Sequence, residues 1–144
     1  MEKENPLVSI ITPCYNGENV MHRLLDSILS QTYSNIEFIL INDGSTDHSE
    51  EIWYQYEKKF NEKGIKTIYI HQRNQGLGAA INAGLKVFTG DYLCWPDIDD
   101  YFEDTSVEKR VNFLETHKEY GSVSSDANQY MEDNLSEPVG TMAS

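Results

Sequence analysis

The sequence lacks any hydrophobic run long enough to cross a membrane. Its longest apolar runs, such as residues 38–41, are far shorter than the roughly 20 residues that a transmembrane helix needs. Residues 1–5 are charged and polar, and no apolar signal segment follows them. These absences predict a cytoplasmic location. In an intact, longer protein they are also compatible with a peripheral position on the inner face of the membrane.

Basic residues and cysteines are also scarce. The chain has 11 lysines and arginines against 24 aspartates and glutamates, and its net charge at pH 7 is −13. Such a charge argues against nucleic-acid binding, because that affinity comes largely from basic side chains on phosphates. It permits a phosphorylated small ligand when a divalent cation mediates the contact. The two cysteines, Cys14 and Cys94, lie in or beside predicted strands and are expected to be reduced, buried thiols.

The chain does contain an alternation of strand and helix patterns. Hydrophobic residues make up 39% of the 144 residues, which is enough for one folded domain, residues 1–144. The alternation predicts an α/β fold, a three-layer sandwich with a mostly parallel central sheet. Predicted strands cover residues 7–12, 36–41, 65–70 and 92–95, and predicted helices cover 20–31, 47–60, 77–88 and 105–117.

Two details of this pattern are less regular. Asp47 and Glu50 have the spacing of a capping box at the start of the second helix. Residues 122–125 are compatible with a fifth strand. After Tyr130 the chain turns polar, which predicts a loop or a frayed end.

Polar clusters follow each of the four predicted strands. In an open parallel sheet, ligands bind beyond the carboxyl ends of the strands. The four clusters are therefore expected to converge on one edge of the sheet and to form one composite site. They cover residues 13–17, 42–47, 71–76 and 96–100.

The sharpest of these clusters contains Asp97, Asp99 and Asp100. Three carboxylates within four residues repel each other unless a positive charge lies between them. A hard divalent cation prefers such oxygen ligands, and diphosphate oxygens can complete its shell. Taken alone, the cluster fits a solvated acidic loop equally well, because aspartate also forms turns and caps helices.

Asp43 and Tyr15 are further candidates at the same edge. Asp43 ends a buried strand, where it can accept hydrogen bonds from a base N–H or from ribose hydroxyls, and residues 44–47 also suit a helix-capping turn. Tyr15 offers a flat face to a base, although an aromatic side chain beside a core more often serves packing. Residues 76–78 suggest a dinucleotide fingerprint, but Ile81 replaces its third glycine, so that reading is rejected. The small residues there let the helix N-terminus approach a ligand closely.

These clusters resemble, in order, the four motifs of the inverting family 2 glycosyltransferases with a GT-A fold. The resemblance implies a Rossmann-like nucleotide-diphospho-sugar transferase fold, here truncated. It weakens from Thr105 onward. The matching segments are residues 8–16, 42–47, 74–84 and 97–100.

The resemblance also implies roles for single residues. Asp43 would bind the base N–H, and Asp99 would bind Mn²⁺ or Mg²⁺ that bridges the diphosphate. Ile81 stands where the family often has arginine, so a cation near the phosphates is expected from Arg73. The implied nucleotide-binding residues are Pro13, Tyr15, Asn16, Asp43, Arg73, Asn74, Gly76 and Asp97. The implied metal ligands are Asp99, Asp97 and Asp100.

The implied reaction is transfer of a sugar from a nucleoside-diphosphate-sugar, first of all a UDP-sugar, to an acceptor hydroxyl with inversion. The acceptor would be a glycan or a lipid-linked molecule in polysaccharide or glycoconjugate biosynthesis of the cell envelope. The family's general base is expected beyond Ser144, with the acceptor-binding part, so the chain alone would bind donor with little or no transfer.

Three alternatives remain open at this point. A phosphatase of the haloacid dehalogenase type also has two aspartates after a buried strand, but Tyr101 stands where that family has threonine or valine. A nucleotidyltransferase normally carries an early glycine-rich basic loop, which residues 16–19 do not supply. A non-catalytic binding module is the third.

Overall fold

A computed structural model describes residues 5–121, 127–131 and 134–142. The chain forms two compact units, Met1–Glu108 and Lys109–Ser144. Along the chain the elements are β1 (Val8–Cys14), α1 (Met21–Leu29), β2 (Ile36–Asp43), α2 (Ser49–Glu62), β3 (Lys66–Gln72), α3 (Leu77–Leu85), β4 (Tyr92–Cys94), α4 (Ser106–Thr116), β5 (Ala127–Met131) and β6 (Asn134–Met142).

The first unit contains a four-stranded sheet with the order β3-β2-β1-β4. All three neighbouring pairs are parallel, and Ile10 of β1 pairs with Phe38 on one side and with Cys94 on the other. Parallel neighbours need a crossover between them, and α1, α2 and α3 provide it. The predicted α/β architecture with a parallel sheet is therefore confirmed.

One face of the sheet carries an aromatic core. Phe38 of β2 stacks on Phe60 of α2, with ring centroids 5.3 Å apart, and Trp53 lies 5.6 Å from Phe38. All three side chains are fully buried. Burial of such large rings stabilises the packing of α2 on the sheet, because each removes a large apolar surface from water.

The opposite face packs against α3. Ile11, Ile39 and Ile41 form a cluster with Ala80 of the helix. Gly84 allows the helix to lie close to β1, since a Cβ atom added there would come within 2.5 Å of Ile11 Cγ2. Helices on both faces make the predicted three layers.

A buried carboxylate joins the strands near their N-terminal ends. Glu37 is fully buried and accepts hydrogen bonds from the Ser9 hydroxyl at 2.6 Å and from the N–H and hydroxyl of Thr89. Lys66 Nζ lies 3.2 Å from Glu37 Oε1, the oxygen that also accepts the Thr89 hydroxyl proton. Burial alone would raise the pKa of Glu37, but these partners outweigh it and hold the pKa below its usual value. The carboxylate thus connects β1, β2, β3 and the segment that leads into β4.

The three long strands extend further than the sequence pattern predicts. They end at Cys14, Asp43 and Gln72, and at these ends the ladder still pairs Asp43 with Gln72. The predicted strands stop where the side chains become polar. They stop too early, because backbone pairing does not require apolar side chains. The polar residues at the sheet edge are therefore held by strand ends rather than by free loops.

The start of α2 also differs from its prediction. Asp47 Oδ1 accepts hydrogen bonds from the N–H and the hydroxyl of Ser49, at 2.9 and 2.6 Å. Glu50 accepts a hydrogen bond from the Tyr69 hydroxyl, so its carboxylate does not reach back to the helix start. The predicted capping box is wrong, because a tertiary partner takes the glutamate.

The second unit contains the antiparallel pair β5–β6. The sequence predicts a loop or frayed end after Tyr130, and β6 shows that this prediction is wrong. The antiparallel ladder of β5 and β6 pairs Ala127 with Met142. Backbone groups form such a ladder, so the polar side chains of this segment do not predict it. The strand predicted at residues 122–125 lies outside the described residues. None of the helices in the described part of the chain combines the length and the apolar character that a bilayer crossing requires.

The close packing of α3 on β1 can be tested with two glycines of the same helix. We expect Gly84→Ala to lower the free energy of unfolding by about 1–3 kcal/mol, because the added methyl group overpacks Ile11. Gly78→Ala is the control, because a Cβ atom at this position meets nothing within 4 Å. Alanine favours the helix more than glycine does, so this variant should be as stable as wild type or more stable by about 0.5–1 kcal/mol. Denaturant unfolding measures both, and equal stability of the two variants would contradict the close contact.

Candidate functional site

A cavity of about 270 Å³ opens at the C-terminal edge of the parallel sheet. Residues at or just after the ends of all four strands contribute to its wall, as the parallel topology requires. Six of the residues predicted to bind a nucleotide line it: Pro13, Tyr15, Asp43, Asn74, Gly76 and Asp97. Cys14, Leu77 and Ile98 complete the lining, and Asn16 and Arg73 are outside it.

Asp43 is only 4% exposed, and its carboxylate holds the loop after β3. Oδ1 accepts hydrogen bonds from Gln72 Nε2 and the Gln75 N–H, both at 2.9 Å, and Oδ2 accepts one from the Gly76 N–H at 3.0 Å. Burial alone would raise the pKa of Asp43, but these hydrogen bonds outweigh it and keep the pKa below its usual value. A carboxylate accepts about four hydrogen bonds, so Oδ2 retains room for one more donor.

Two glycines shape the loops around Asp43. Gly44 has a φ of +77°, and a Cβ atom added there would lie 2.7 Å from the Asn74 backbone nitrogen. Gly76 has a φ of +96° directly before α3 begins. Since other residues rarely adopt such angles, both positions favour glycine, and at Gly44 the missing side chain also lets the loop after β2 touch the loop after β3.

The loop after β1 is fastened to the loop after β2. The Asn16 N–H donates to Ser45 Oγ at 2.9 Å, and the Thr46 N–H donates to Asn16 Oδ1 at 2.8 Å. Asn16 has a φ of +51°, a conformation that asparagine tolerates better than most residues. Its side-chain oxygen is engaged within the protein, and the role of Asn16 in nucleotide binding stays a prediction.

A second contact reinforces this pair of loops. Glu18 Oε2 accepts hydrogen bonds from the N–H and Nδ1 of His48, and the Glu18 N–H donates to Asp47 Oδ2 at 3.1 Å. The hydrogen bond to Glu18 raises the pKa of His48. The wall that carries Tyr15 is therefore connected to the start of α2 at several points.

Apolar surface lines the cavity beside these polar groups. Tyr15 is 53% exposed and Leu77 is 63% exposed. Cys14 is buried, and burial raises the pKa of its thiol, an effect that the hydrogen bond with Ser49 only partly offsets. Both cysteines are thiols, as predicted, although Cys94 is only partly buried. Flat or apolar walls with a few polar groups are typical of small-molecule sites.

The three aspartates after β4 do converge. One carboxylate oxygen from each of Asp97, Asp99 and Asp100 lies within 4.8 Å of the others, and all three residues are exposed. The Asp97 N–H donates to Asp100 Oδ2 at 2.8 Å. Partial loss of hydration raises the pKa of Asp100, and the hydrogen bond from the Asp97 N–H offsets part of this rise. The negative charges of Asp97 and Asp99 raise the pKa further.

This donor set fits a hard divalent cation. Mg²⁺ and Mn²⁺ prefer carboxylate oxygens, and three oxygens on one side leave positions for phosphate oxygens. A cation would also remove the mutual repulsion that raises the pKa of Asp100. Asp97 lines the cavity as well, so the cluster borders it directly.

Sequence reasoning missed some residues of the site. Leu77 and Ile98 have the apolar character of core residues, and nothing in their immediate sequence marks them as lining a cavity. Cys14 is predicted as a buried thiol, yet it lines the cavity because β1 extends to it. Arg73 is exposed on the loop after β3, outside the lining, so its proposed place near phosphates stays a prediction.

Solved structures share this fold. S. aureus TarS 1-349 in complex with UDP superposes with a TM-score of 0.69 and 26% identity, covering 78% of this chain and 33% of that one. The mannosyltransferase PcManGT from Pyrobaculum calidifontis, in complex with GDP-Man and Mn²⁺, gives a TM-score of 0.71 at 22% identity over 78% of this chain and 33% of that one. The fold is the GT-A fold of glycosyltransferases.

Curated relatives agree with the fold. An uncharacterized glycosyltransferase of Rickettsia prowazekii is 44% identical over 110 residues, which are 76% of this chain and 32% of the relative. The glycosyltransferase GlyA of Streptococcus pneumoniae is 46% identical over 101 residues, 70% of this chain and 14% of the relative. The sequence model of glycosyl transferase family 2 matches residues 9–139, and the chain belongs to this family. It spans a third or less of the length of these two relatives.

The role of the Asp43 charge can be tested by Asp43→Asn. The amide keeps the shape of the side chain, but its nitrogen cannot accept the N–H groups that the carboxylate accepts. The remaining oxygen can still accept at the Oδ1 position, so we expect hydrogen exchange to become at least about tenfold faster at the Gly76 amide, which then faces the NH₂ group, and to rise at the Gln75 amide because its acceptor is no longer charged. Hydrogen exchange followed by NMR measures this. In the wild-type protein, the Gln75 and Gly76 amides should stay protected while the Asp43 carboxylate is charged. This protection should be lost as the pH falls through the pKa of Asp43, which lies below its usual value.

Asp47→Asn is the matched control in the neighbouring loop. Its carboxylate accepts hydrogen bonds from the N–H groups of Glu18 and Ser49. Those two amides should exchange faster in this variant, whereas Gln75 and Gly76 should keep their protection. Unchanged exchange at Gln75 and Gly76 in Asp43→Asn would show that the carboxylate does not hold the loop.

Proposed function

We propose that the chain is the donor-binding part of a glycosyltransferase that takes a nucleoside-diphosphate-sugar together with a divalent cation. One observation carries the proposal: Asp97 belongs both to the cavity lining and to the carboxylate cluster. A ligand with a flat ring at one end and a diphosphate at the other suits such a site. Family membership favours this hypothesis over the phosphatase and the nucleotidyltransferase.

The base of the nucleotide is proposed to lie between Tyr15 and Asp43. Tyr15 offers exposed aromatic surface, and Asp43 Oδ2 retains acceptor capacity for a base N–H. Uracil presents such an N–H group beside a flat ring. The complexes of S. aureus TarS with UDP and with UDP-GlcNAc support a uridine nucleotide as the first candidate.

The diphosphate end is proposed to face the aspartate cluster. Asp99, with Asp97 and Asp100, would hold Mn²⁺ or Mg²⁺, and the Mn²⁺ in the PcManGT complex supports this choice. When bound, such a cation supplies positive charge to a diphosphate leaving group. Without positive charge nearby, this acidic cluster would repel a diphosphate, so we expect nucleotide binding to depend on the metal.

Inversion at the sugar carbon requires an acceptor hydroxyl that attacks from the face opposite to the leaving diphosphate and a general base that removes its proton. We propose that both the acceptor site and this base lie outside the 144 residues, since the chain spans a third or less of the two relatives described above. The chain alone should therefore bind donor and transfer little or no sugar. A role in polysaccharide synthesis and a cytoplasmic location remain predictions.

Calorimetry with UDP tests the proposal. Wild type should bind UDP in the presence of Mn²⁺ and lose this binding when the metal is removed by a chelator. Asp99→Ala should weaken UDP binding at least about tenfold, because one of three carboxylate ligands is gone.

Asp104→Ala is the matched control for charge. Asp104 is another exposed aspartate shortly after the cluster and is not a member of it. This variant should bind UDP like wild type. Absence of heat with wild type, or equal affinity of the Asp99 and Asp104 variants, would refute the assignment of the metal cluster.

A further inference from the structure

A continuous chain of hydrogen bonds runs behind the Tyr15 wall of the cavity. Tyr69 of β3 donates its hydroxyl proton to Glu50 Oε2 at 2.7 Å and accepts a hydrogen bond from Asn42 Nδ2 at 2.9 Å. Asn42 Oδ1 accepts the Ser45 N–H at 3.0 Å, and Ser45 Oγ accepts the Asn16 N–H at 2.9 Å. This series of hydrogen bonds thus begins at Glu50 of α2 and ends at Asn16, the residue that follows Tyr15.

The direction of these hydrogen bonds follows from one backbone group. The Ser45 N–H can only donate, so the oxygen of the Asn42 amide must face it and the NH₂ group must face Tyr69. The Tyr69 oxygen therefore acts as the acceptor, and its own proton goes to Glu50. Asn42 is 2% exposed, so its NH₂ group has no access to bulk water as an alternative partner.

We propose that Tyr69 is a positioning residue for nucleotide binding: through Asn42 and Ser45 it fixes the backbone after Tyr15 and thereby the aromatic wall of the cavity. The inference rests on the proposed function, because it names a residue outside the cavity lining that the same site needs. It assigns to Tyr69 no contact with ligand.

Tyr69→Phe isolates this role because the ring itself is held by packing. Trp53 stacks on it with centroids 6.0 Å apart, and Tyr54 contacts it edge-on at 5.8 Å. Phenylalanine keeps these contacts and removes only the hydroxyl. The buried Asn42 NH₂ group then loses its acceptor, and the amide cannot turn over without placing NH₂ against the Ser45 N–H. The Asn42–Ser45–Asn16 link is expected to loosen.

Tyr56→Phe is the matched control. The Tyr56 hydroxyl donates to Asp26 Oδ1 at 2.8 Å, so this variant also loses one tyrosine–carboxylate hydrogen bond. Its contact joins α2 to α1 and has no link to Asn42 or Ser45. The two variants should lose similar thermal stability, whereas only Tyr69→Phe should weaken binding of UDP with Mn²⁺, by about tenfold, with Tyr56→Phe within about twofold of wild type.

Glu50→Gln serves as the conservative variant. The glutamine oxygen still accepts the Tyr69 proton, and the Tyr69 oxygen still accepts from Asn42, so UDP affinity should stay within about threefold of wild type. Equal UDP affinity of Tyr69→Phe and wild type would overturn the inference while leaving the proposed function intact. Equal weakening in Tyr56→Phe would overturn it too, because the effect would then follow stability alone.

A measurement without nucleotide keeps the two proposals distinguishable. In the ligand-free protein, the Asn16 and Ser45 amides should exchange hydrogen faster in Tyr69→Phe than in Tyr56→Phe, and the Gly76 amide should exchange alike in both. If wild type binds no UDP, the proposed function fails, and the exchange rates still decide whether Tyr69 controls this wall. Unchanged exchange at Asn16 and Ser45 would reject the positioning role.

Discussion

Parallel pairing of β1 with β2 on one side and β4 on the other is the constraint from which the site follows. Because three crossovers return the chain in the same direction, every segment that leaves a strand end emerges at one edge of the sheet. Residues far apart in sequence, such as Tyr15, Asp43 and Asp97, therefore line one cavity. The hydrophobic layers on both faces stabilise this arrangement, while the chemistry of the edge is left to polar side chains.

The carboxylates at this edge fall into two groups with different roles. Asp43 is buried and its oxygens are engaged by N–H groups of the protein, so its charge orders a loop before any ligand arrives. Asp97, Asp99 and Asp100 are exposed, and their charges face one another. A site of this kind combines a preformed wall with a cluster whose repulsion a bound cation would relieve. Preformed walls reduce the ordering cost of binding.

Much of the fold could be predicted from the sequence, because apolar runs and helical spacing report burial directly. The spacing of Asp97, Asp99 and Asp100 likewise placed them together, since residues this close after a strand cannot separate far. Partner choice could not be predicted. The sequence gives no sign that Asn16 accepts the Thr46 N–H, and Glu50, predicted to form a capping box, instead accepts the Tyr69 hydroxyl proton. Such choices depend on groups that only the folded chain brings within reach.

The buried Glu37 has a consequence for the behaviour of the protein in acid. Its pKa is lower in the folded chain than in the unfolded one, where it is about 4.3. The contribution of this carboxylate to stability is therefore complete above that value and is lost as the pH falls through the folded pKa. Acid therefore removes a charged hydrogen-bond acceptor at the N-terminal ends of the strands, at the edge opposite to the cavity. The pKa of Asp43 is lowered too, so the same fall in pH also acts on the binding edge, and acidification weakens the sheet at both of its ends.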